Sequence, residues 1–257
     1  MTAVLRVAEA HARTYRRNWY ASMSVAFVSP ALFLAAMGLG LGSLVDGGGG
    51  SASLGGLSYV DFLAPGLVAA TALQLAGTEG TFPVMHGTTW GRTYSAMLAT
   101  PVSAIDVALG HLLWVGVRMA MTASAMVLVV ALFGAVSWPI GLLAVPAAVL
   151  TGLSLTGVAA AYAVGLRSPA GLAALNRFVI MPMFLFSGTF FPVEQLPDWA
   201  ELLAWLMPPF HGVELCRGLM TDSLEPGRAV QHVSYLVSWT VLGAWLAARR
   251  FHARLVV

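Results

Sequence analysis

The sequence predicts an all-α integral membrane protein. It has six transmembrane helices with both termini cytoplasmic, an N-terminal interfacial helix, a short cytoplasmic helix and an external re-entrant helical hairpin. Three observations lead there. The 257 residues are 58% hydrophobic and 9% charged, with a mean hydropathy of +0.81, whereas a soluble domain carries about 25% charged residues. Apolar runs recur along the chain, each near the roughly 20 residues a helix needs to cross hydrocarbon. The cationic residues are all arginines, and they cluster between particular pairs of runs.

Residues 1–20 come first. At 100° per residue, Val4, Ala8, His11, Tyr15 and Trp19 share one face of a helix, with Arg6, Arg13 and Arg17 opposite, and Glu9 and Arg13 at pairing distance one turn apart. This is the pattern of a helix lying in the membrane interface, its arginines turned to headgroups or solvent. No short apolar stretch with a small-residue cleavage site follows, so a signal peptide is not expected.

The spans are predicted at 22–45, 61–84, 104–133, 140–165, 172–191 and 231–249. The third is longer than a crossing needs and is expected to tilt or protrude. Ser103 is its expected N-cap. Orientation follows from arginine bias. With both termini inside, Arg6, Arg13, Arg16, Arg17, Arg92, Arg167, Arg177, Arg249, Arg250 and Arg254 are all cytoplasmic. Arg217 and Arg228 are external and Arg118 lies within the third span.

Two connections stand apart. Asp46–Gly56, DGGGGSASLGG, reads as a flexible external linker. Residues 192–227 hold two amphipathic stretches joined at Pro208-Pro209, with Leu196, Trp199, Leu203 and Leu206 on one and Val213, Cys216 and Met220 on the other. Each is too short to cross, and a helical hairpin dipping into the outer leaflet satisfies its own backbone there. Gly38 and Gly42, and Gly157, Ala161 and Gly165, recur at the spacing that lets helix backbones approach closely in lipid.

Composition excludes several activities. A P-loop needs a lysine at the nucleotide phosphates, and this chain has none, so no standard ATP site is its own. One cysteine, Cys216, permits no intrachain disulfide or cysteine-rich metal cluster. There is no His-Glu-x-x-His run and no Gly-x-Ser-x-Gly elbow, and the histidines are scattered; neither a catalytic residue nor a metal site is expected. No nucleic-acid partner is expected either.

Polar groups at membrane depth are costly and often functional. Thr71, Gln74 and Thr78 share a face of the second span beside Glu79, and they line either a cavity or subunit seam or a hydrogen-bonded helix contact. Glu79 lies near the cytoplasmic end and Arg118 deeper, so a direct pair requires Arg118 to reach down. In the fifth span Met181, Met183, Phe184, Phe186 and Phe190 form an adaptable apolar surface, and Pro182 removes a helix hydrogen bond and allows a bend. Lipid-facing or core packing accounts for that surface equally well.

Between the second and third spans lies GTTWGRTYSAMLATP, Gly87 to Pro101. Arg92 sets it in the cytoplasm. Trp90, Tyr94, Met97 and Leu98 fall on one side of a short helix over 88–99, with Gly91, Arg92 and Thr93 completing its start. An exposed aromatic edge of this kind suits a groove on another protein.

MLATPVSAIDVALGHLL, Met97 to Leu113, resembles the segment of ABC-2 type exporter permeases that follows their coupling helix. Phe184 to Met220 resembles the fifth span and external hairpin of that family, and FLAPGL, Phe62 to Leu67, its second-span entry. The resemblance spans nearly the whole chain and lies nearest the subgroup of nodulation-factor and daunorubicin-resistance permeases. Where many relatives carry a more charged Glu-Gly-Thr-Leu-type run, this chain has Glu79-Gly80-Thr81-Phe82 followed by PVMHGTTWGRTYSA.

The resemblance implies a single transmembrane domain over 1–257 that works as a non-catalytic half-transporter in a bacterial inner membrane. It implies pairing with a second permease subunit, identical or paralogous, and with two separate ATPase subunits that bind ATP and Mg; no cofactor is expected in this chain. Trp90, Gly91, Arg92, Thr93, Tyr94, Met97 and Leu98 would form the ATPase-docking coupling helix, and Arg6, Arg13, Arg17 and Trp19 would belong to the interfacial helix. The substrate, a drug, lipid or glycolipid, would leave near the first, second and fifth spans. A stand-alone secondary transporter or channel is the alternative. It asks for several ionisable groups at mid-membrane and for inverted repeats, and the sequence offers Arg118 alone and no such repeat.

Overall fold

The computed structural model describes residues 2–17, 19–49, 52 and 54–256, and among them the regular structure is helical throughout. The short N-terminal helix α1 (Ala3–Tyr15) is followed by α2 (Trp19–Ala36), which runs through a π-helical stretch, Met37–Gly42, into α3 (Ser43–Gly47). The linker expected at Asp46–Gly56 falls partly on residues 50, 51 and 53, outside the described residues. Its far end is tied down, because the Tyr59 N–H donates to Asp46 Oδ1 at 3.0 Å.

The next helix, α4 (Tyr59–Glu79), is capped by Ser58, whose Oγ accepts from the Asp61 N–H. Gly80 and Thr81 interrupt it, and α5 (Phe82–Met85) and a π turn, His86–Trp90, continue beyond. After α6 (Thr93–Leu98), Ser103 opens α7 (Ala104–Leu132) with the expected cap. Its Oγ accepts from the Asp106 N–H at 3.1 Å, and its own N–H donates to Asp106 Oδ2 at 2.9 Å. Two orphan donors at the helix start are thereby satisfied reciprocally. Asp106 is thus part of a cap and not a free polar group within the span.

A 3-10 turn, Ile140–Leu143, leads into α8 (Ala144–Ala163). Then α9 (Ala170–Leu175), a π stretch Asn176–Ile180 and α10 (Met181–Leu185) form one interrupted helix, with the irregularity just upstream of Pro182. That is where a missing N–H and a bulky ring force the ladder to readjust. The second amphipathic region holds α11 (Asp198–Trp205) and α12 (Pro208–Met220), and α13 (Pro226–Leu255) closes the chain.

Among the described residues four helical stretches are long and apolar enough to cross a membrane: Pro30–Gly47, Tyr59–Trp90, Ala104–Leu132 and Ile140–Ala163. Ala170–Leu185 is apolar but shorter. This is the make-up of an integral membrane protein. Centrally, α4 and α8 pack against each other and against α7 and α12, while α13 lies along α8 and α7. The main core joins α4, α7, α8 and α12 through Leu63, Val68, Met126, Ala148, Val213 and Leu236 of α13.

The approach of α13 to α8 uses small residues. A Cβ on Gly157 of α8 would collide with the Gly243 carbonyl group of α13. Association in lipid rests on such close backbone contact. Overpacking costs roughly 1–3 kcal/mol, so Gly157→Val is expected to force α8 and α13 apart and lower the unfolding temperature in detergent. Gly40→Val, where nothing lies within 4 Å of the added Cβ, should leave it nearly unchanged.

Candidate functional site

The face of α1 that carries Val4, His11 and Tyr15 is covered by protein. It lies along α7: Val7 is buried, and a Cβ on Gly110 would sit 2.6 Å from the Val7 Cβ. The His11 and His111 rings meet edge to face at 5.4 Å and Tyr15 meets Trp114 at 5.5 Å. This face is docked on a neighbouring helix. Opposite, Arg6, Arg13 and Arg17 are exposed, and Arg13 donates to Glu9 at 2.7 Å. Trp19 begins α2 and stacks on Tyr20, with centroids 3.8 Å apart.

The short helix α6 is set against this contact. The chain reverses through Arg92, a non-glycine residue in the left-handed region at φ 48°. Gly91 fits because a Cβ there would press 2.5 Å from the His86 ring. The reversal turns α6 so that Tyr94 points inward. Its ring is buried against Phe251 of α13 and near His11, at centroid distances of 5.7 and 6.5 Å, and over Gly87, where a Cβ would stand 2.7 Å from the ring. Trp90 and Arg92 face outward, Trp90 being 53% exposed, and Met97 and Leu98 are half-buried against the same cluster. Tyr94 therefore does not share the outer edge of this helix with Trp90.

Arg118 does reach Glu79. The two side chains form an ion pair, mostly enclosed, between α7 and the end of α4. The guanidinium also lies 4.9 Å from the centre of the Tyr15 ring on α1. Beside them His111 Nε2–H donates to the Glu79 carbonyl oxygen at 3.0 Å. The interfacial helix, the end of α4, α6, α7 and α13 are thus gathered around one polar cluster. Within it His11 Nε2, His111 Nδ1 and the Tyr94 hydroxyl are buried without a partner among the described residues. Burial pushes the Tyr94 phenol strongly up, with a smaller contribution from the Glu79 charge, and holds the His11 imidazole below its ordinary value. Both stay neutral at neutral pH.

Between α1 and α6 runs a groove of about 460 Å³, floored by Val7, Ala10, Met97, Pro101 and Val102 and rimmed by Arg6. The sequence offered no signal for it, since it is made by two segments some ninety residues apart.

Elsewhere the expected residues separate into two groups. Gln74 and Thr78 are exposed and Thr71 half-buried on a helix whose other faces are buried. The two threonines satisfy their hydroxyls on their own helix, at Val68 O and at Gln74 O and Leu75 O. The stripe faces out of the subunit rather than into a contact within it. The aromatic group is partly assembled: Phe190 meets Phe184 at 5.1 Å and Phe33 of α2 at 6.1 Å, both edge to face. Phe186 is half-buried and Met181 exposed. A Cβ on Gly66 of α4 would stand 3.1 Å from the Thr189 Cα, so the first, second and fifth apolar segments meet here.

The sequence profile of the ABC-2 type transporter family matches residues 2–221. The chain belongs to that family. It is similar to Nodulation protein J of Sinorhizobium fredii (33% identical, covering 94% of this chain and 92% of the relative). It is also similar to Nodulation protein J of Bradyrhizobium diazoefficiens (31%) and of Rhizobium leguminosarum bv. trifolii (30%), with the same coverage. ABC-2 permeases are transmembrane transport components that work with an ATPase subunit.

Two further sites of this ABC-2 chain were not legible beforehand. Arg217, an external arginine by the predicted orientation, ties three elements together. Its side chain donates to Gly188 O at 2.6 Å and Phe62 O at 3.3 Å, pairs with Glu214, and lies 3.8 Å over the Phe62 ring. In α12, His211 Nε2 contacts Trp205 O and its Nδ1 contacts His232 Nδ1, both at 2.9 Å. A carbonyl only accepts, so His211 carries its proton on Nε2 and accepts from the His232 Nδ1–H.

Two outcomes follow from these sites. Tyr94→Ala removes a buried aromatic ring and should cost about 3–5 kcal/mol. Tyr94→Phe removes a hydroxyl that satisfies nothing and should be neutral or slightly stabilising, as read by thermal unfolding of the pure chain. The second concerns pH. Burial holds His211 below its ordinary 6.5, and protonation at Nδ1 would set two N–H groups against each other. With the folded value depressed, this contribution is complete above about pH 6.5 and is lost as pH falls through the folded value. The protection factors of the α12 amides, corrected for intrinsic exchange, are expected to fall between pH 7 and 5, and His211→Gln should flatten that response; an α12 equally protected at both values counts against it.

Proposed function

We propose that the chain is the membrane-spanning permease of an ATP-driven exporter, moving a hydrophobic or amphipathic substrate such as a drug, lipid or glycolipid out of the cytoplasm or inner leaflet. It would cross a bacterial inner membrane six times with both termini cytoplasmic. The shorter Ala170–Leu185 and the less apolar α13 would complete the set, and α11 and α12 would form a hairpin entering the outer leaflet. A second permease copy, identical or paralogous, and two ATPase subunits complete the assembly in this reading, with ATP and Mg held by the ATPases.

One observation carries the proposal: the inward Tyr94 and the outward Trp90 and Arg92 on one short cytoplasmic segment. A push on the outer face passes through the Tyr94 ring to α1, α7 and α13, because a close-packed contact shifts as a unit rather than absorbing displacement. The groove between α1 and α6, apolar at its floor and with Arg6 at the rim, supplies a second foothold for an ATPase surface bearing an apolar side chain beside an acid. Tyr94 serves in this scheme as the joint, and Trp90, Arg92 and Met97 as the contact.

Support for a path at the subunit seam comes from Gln74 and Thr78, which put polar groups on the outer surface of an apolar helix. Such groups are costly against lipid and acceptable against a second subunit or an aqueous cavity. The stand-alone transporter draws no support from Arg118, because its charge is already balanced by Glu79.

Trp90→Ala and Arg92→Glu are expected to reduce recovery of the ATPase with the tagged permease by about tenfold or more, the loss of one well-packed anchor at an interface. The unfolding temperature of the permease alone should not move. Undiminished recovery together with undiminished transport would sink the docking assignment.

A further inference from the structure

We propose that the groove between the C-terminal ends of α8 and α13 is a binding site for one anionic phospholipid, with Arg250 holding the phosphate. The site needs only the membrane setting of the chain and does not rest on the ATPase reading. The two helices are locked at Gly157 and Gly243. Nearer their C-terminal ends lies a groove of about 450 Å³, walled by Val158, Ala161, Gly165 and Leu246, with Tyr162 and Arg250 at its mouth. An acyl chain fits the wall residues, which are apolar or lack a side chain, and the mouth alone is polar.

The depth suits a headgroup. Tyr162 is 44% and Trp245 54% exposed on the outer surface of these two helices, and tyrosine and tryptophan exposed on membrane helices mark the headgroup level. Arg249 lies 5.5 Å from the Trp245 ring, which holds a second guanidinium at that level. A guanidinium at the interface binds a phosphodiester through two parallel N–H donors.

The charge balance selects an anionic lipid over a zwitterionic one. No Asp or Glu occurs between Asp106 and Glu194 or after Glu225. The carboxylates at this end of the molecule are engaged: Glu9 with Arg13, Glu79 with Arg118, and Asp106 with the Ser103 cap. Arg167, Arg249, Arg250 and Arg254 are exposed around the groove ends, with no carboxylate paired to them among the described residues. A phosphatidylethanolamine ammonium would find no counter-charge here, whereas phosphatidylglycerol brings the net negative charge that the site lacks.

The test uses the full chain in a neutral detergent, with phosphatidylglycerol or phosphatidylethanolamine added and retained lipids counted by native mass spectrometry. One phosphatidylglycerol per chain is expected to be retained in preference to phosphatidylethanolamine. Arg250→Ala should lower that retention about tenfold, the usual scale for losing a charge-assisted hydrogen bond. Gly165→Leu should lower it too by filling the groove. A Cβ at Gly165 meets nothing nearer than the Tyr162 carbonyl oxygen at 3.5 Å, so this variant should fold normally. Arg13→Ala, on α1 and paired with Glu9, should leave retention unchanged. Retention of phosphatidylglycerol undiminished in both Arg250→Ala and Gly165→Leu, or equal retention of the two lipids, overturns the site. So does an Arg250→Ala chain that keeps its lipid but loses its ATPase, because the arginine would then serve the partner.

Discussion

The phenol ring of Tyr94 stands where five segments meet, and it is held there by shape. Its hydroxyl has no partner, while its ring fills the space left by the missing side chain of Gly87 and touches α1 and α13. A hydrogen-bonded joint would fix one geometry, since breaking a bond to a buried group costs its full desolvation. A joint made by packing alone resists being emptied but gives up little when its members slide together. Around it the unpaired nitrogens of His11 and His111 keep the cluster from gaining all the stability its polar groups could supply. The cluster is therefore cohesive and only loosely specified in polar terms, which suits the joint proposed for it.

Charge follows a consistent economy. Arg118 and Glu79, the ionised pair nearest the apolar interior, neutralise each other, and the ring of Tyr15 covers the guanidinium. Arg217 is treated the same way at the other end, with Glu214 as counter-charge and two carbonyls and an aromatic face taking up its remaining donors. A buried charge survives when its partner and its spare hydrogen-bond sites are all supplied. What is left over, including Arg6 on α1, Arg17 just beyond it, and Arg167, Arg249, Arg250 and Arg254 at the ends of α8 and α13, is exposed, and in the proposed assembly would face headgroups or a partner.

Features set by neighbours along the chain were readable from the sequence. Examples are the Ser103 cap, the Glu9–Arg13 pair, the separation of α1 from the first apolar run and the irregularity ahead of Pro182. Each depends on residues within a turn or two, where the helical period fixes who meets whom. The inward rotation of Tyr94 was not readable, because it hangs on the left-handed turn at Arg92, and a positive φ at an arginine has no signature in composition. Nor were the Arg217 contacts with Phe62 and the pairing of His211 with His232, which join segments 155 and 21 residues apart. His11 and Tyr15 came closest. Their place on one apolar face was visible, but whether lipid or α7 covered that face was a matter of packing, and periodicity alone does not distinguish a lipid-facing stripe from a core-facing one.

The helices divide by stiffness in a way that links the two ends. The first and fifth apolar segments are interrupted by a π stretch, at Met37–Gly42 and Asn176–Ile180, the second is broken at Gly80-Thr81 and ends in one at His86–Trp90, and each carries an internal proline, Pro30, Pro65 or Pro182. Kinks in helices come from such places. By contrast α7 has neither feature, and the 30 residues of α13 have their proline only at the start. At 1.5 Å per residue α13 is a rod of about 45 Å, with His232 and Tyr235 fixed to α12 and Leu206 at one end and Phe251 against Tyr94 at the other. In the proposed cycle a displacement of the Tyr94 cluster would reach the hairpin through this stiff element, while the segments that carry kinks are those that meet at Phe33, Phe184, Phe190 and Thr189. In that cycle, motion delivered at one end would be taken up by opening along the aromatic seam, because the segments that meet there are the ones whose regular backbone hydrogen bonding is broken elsewhere along their length.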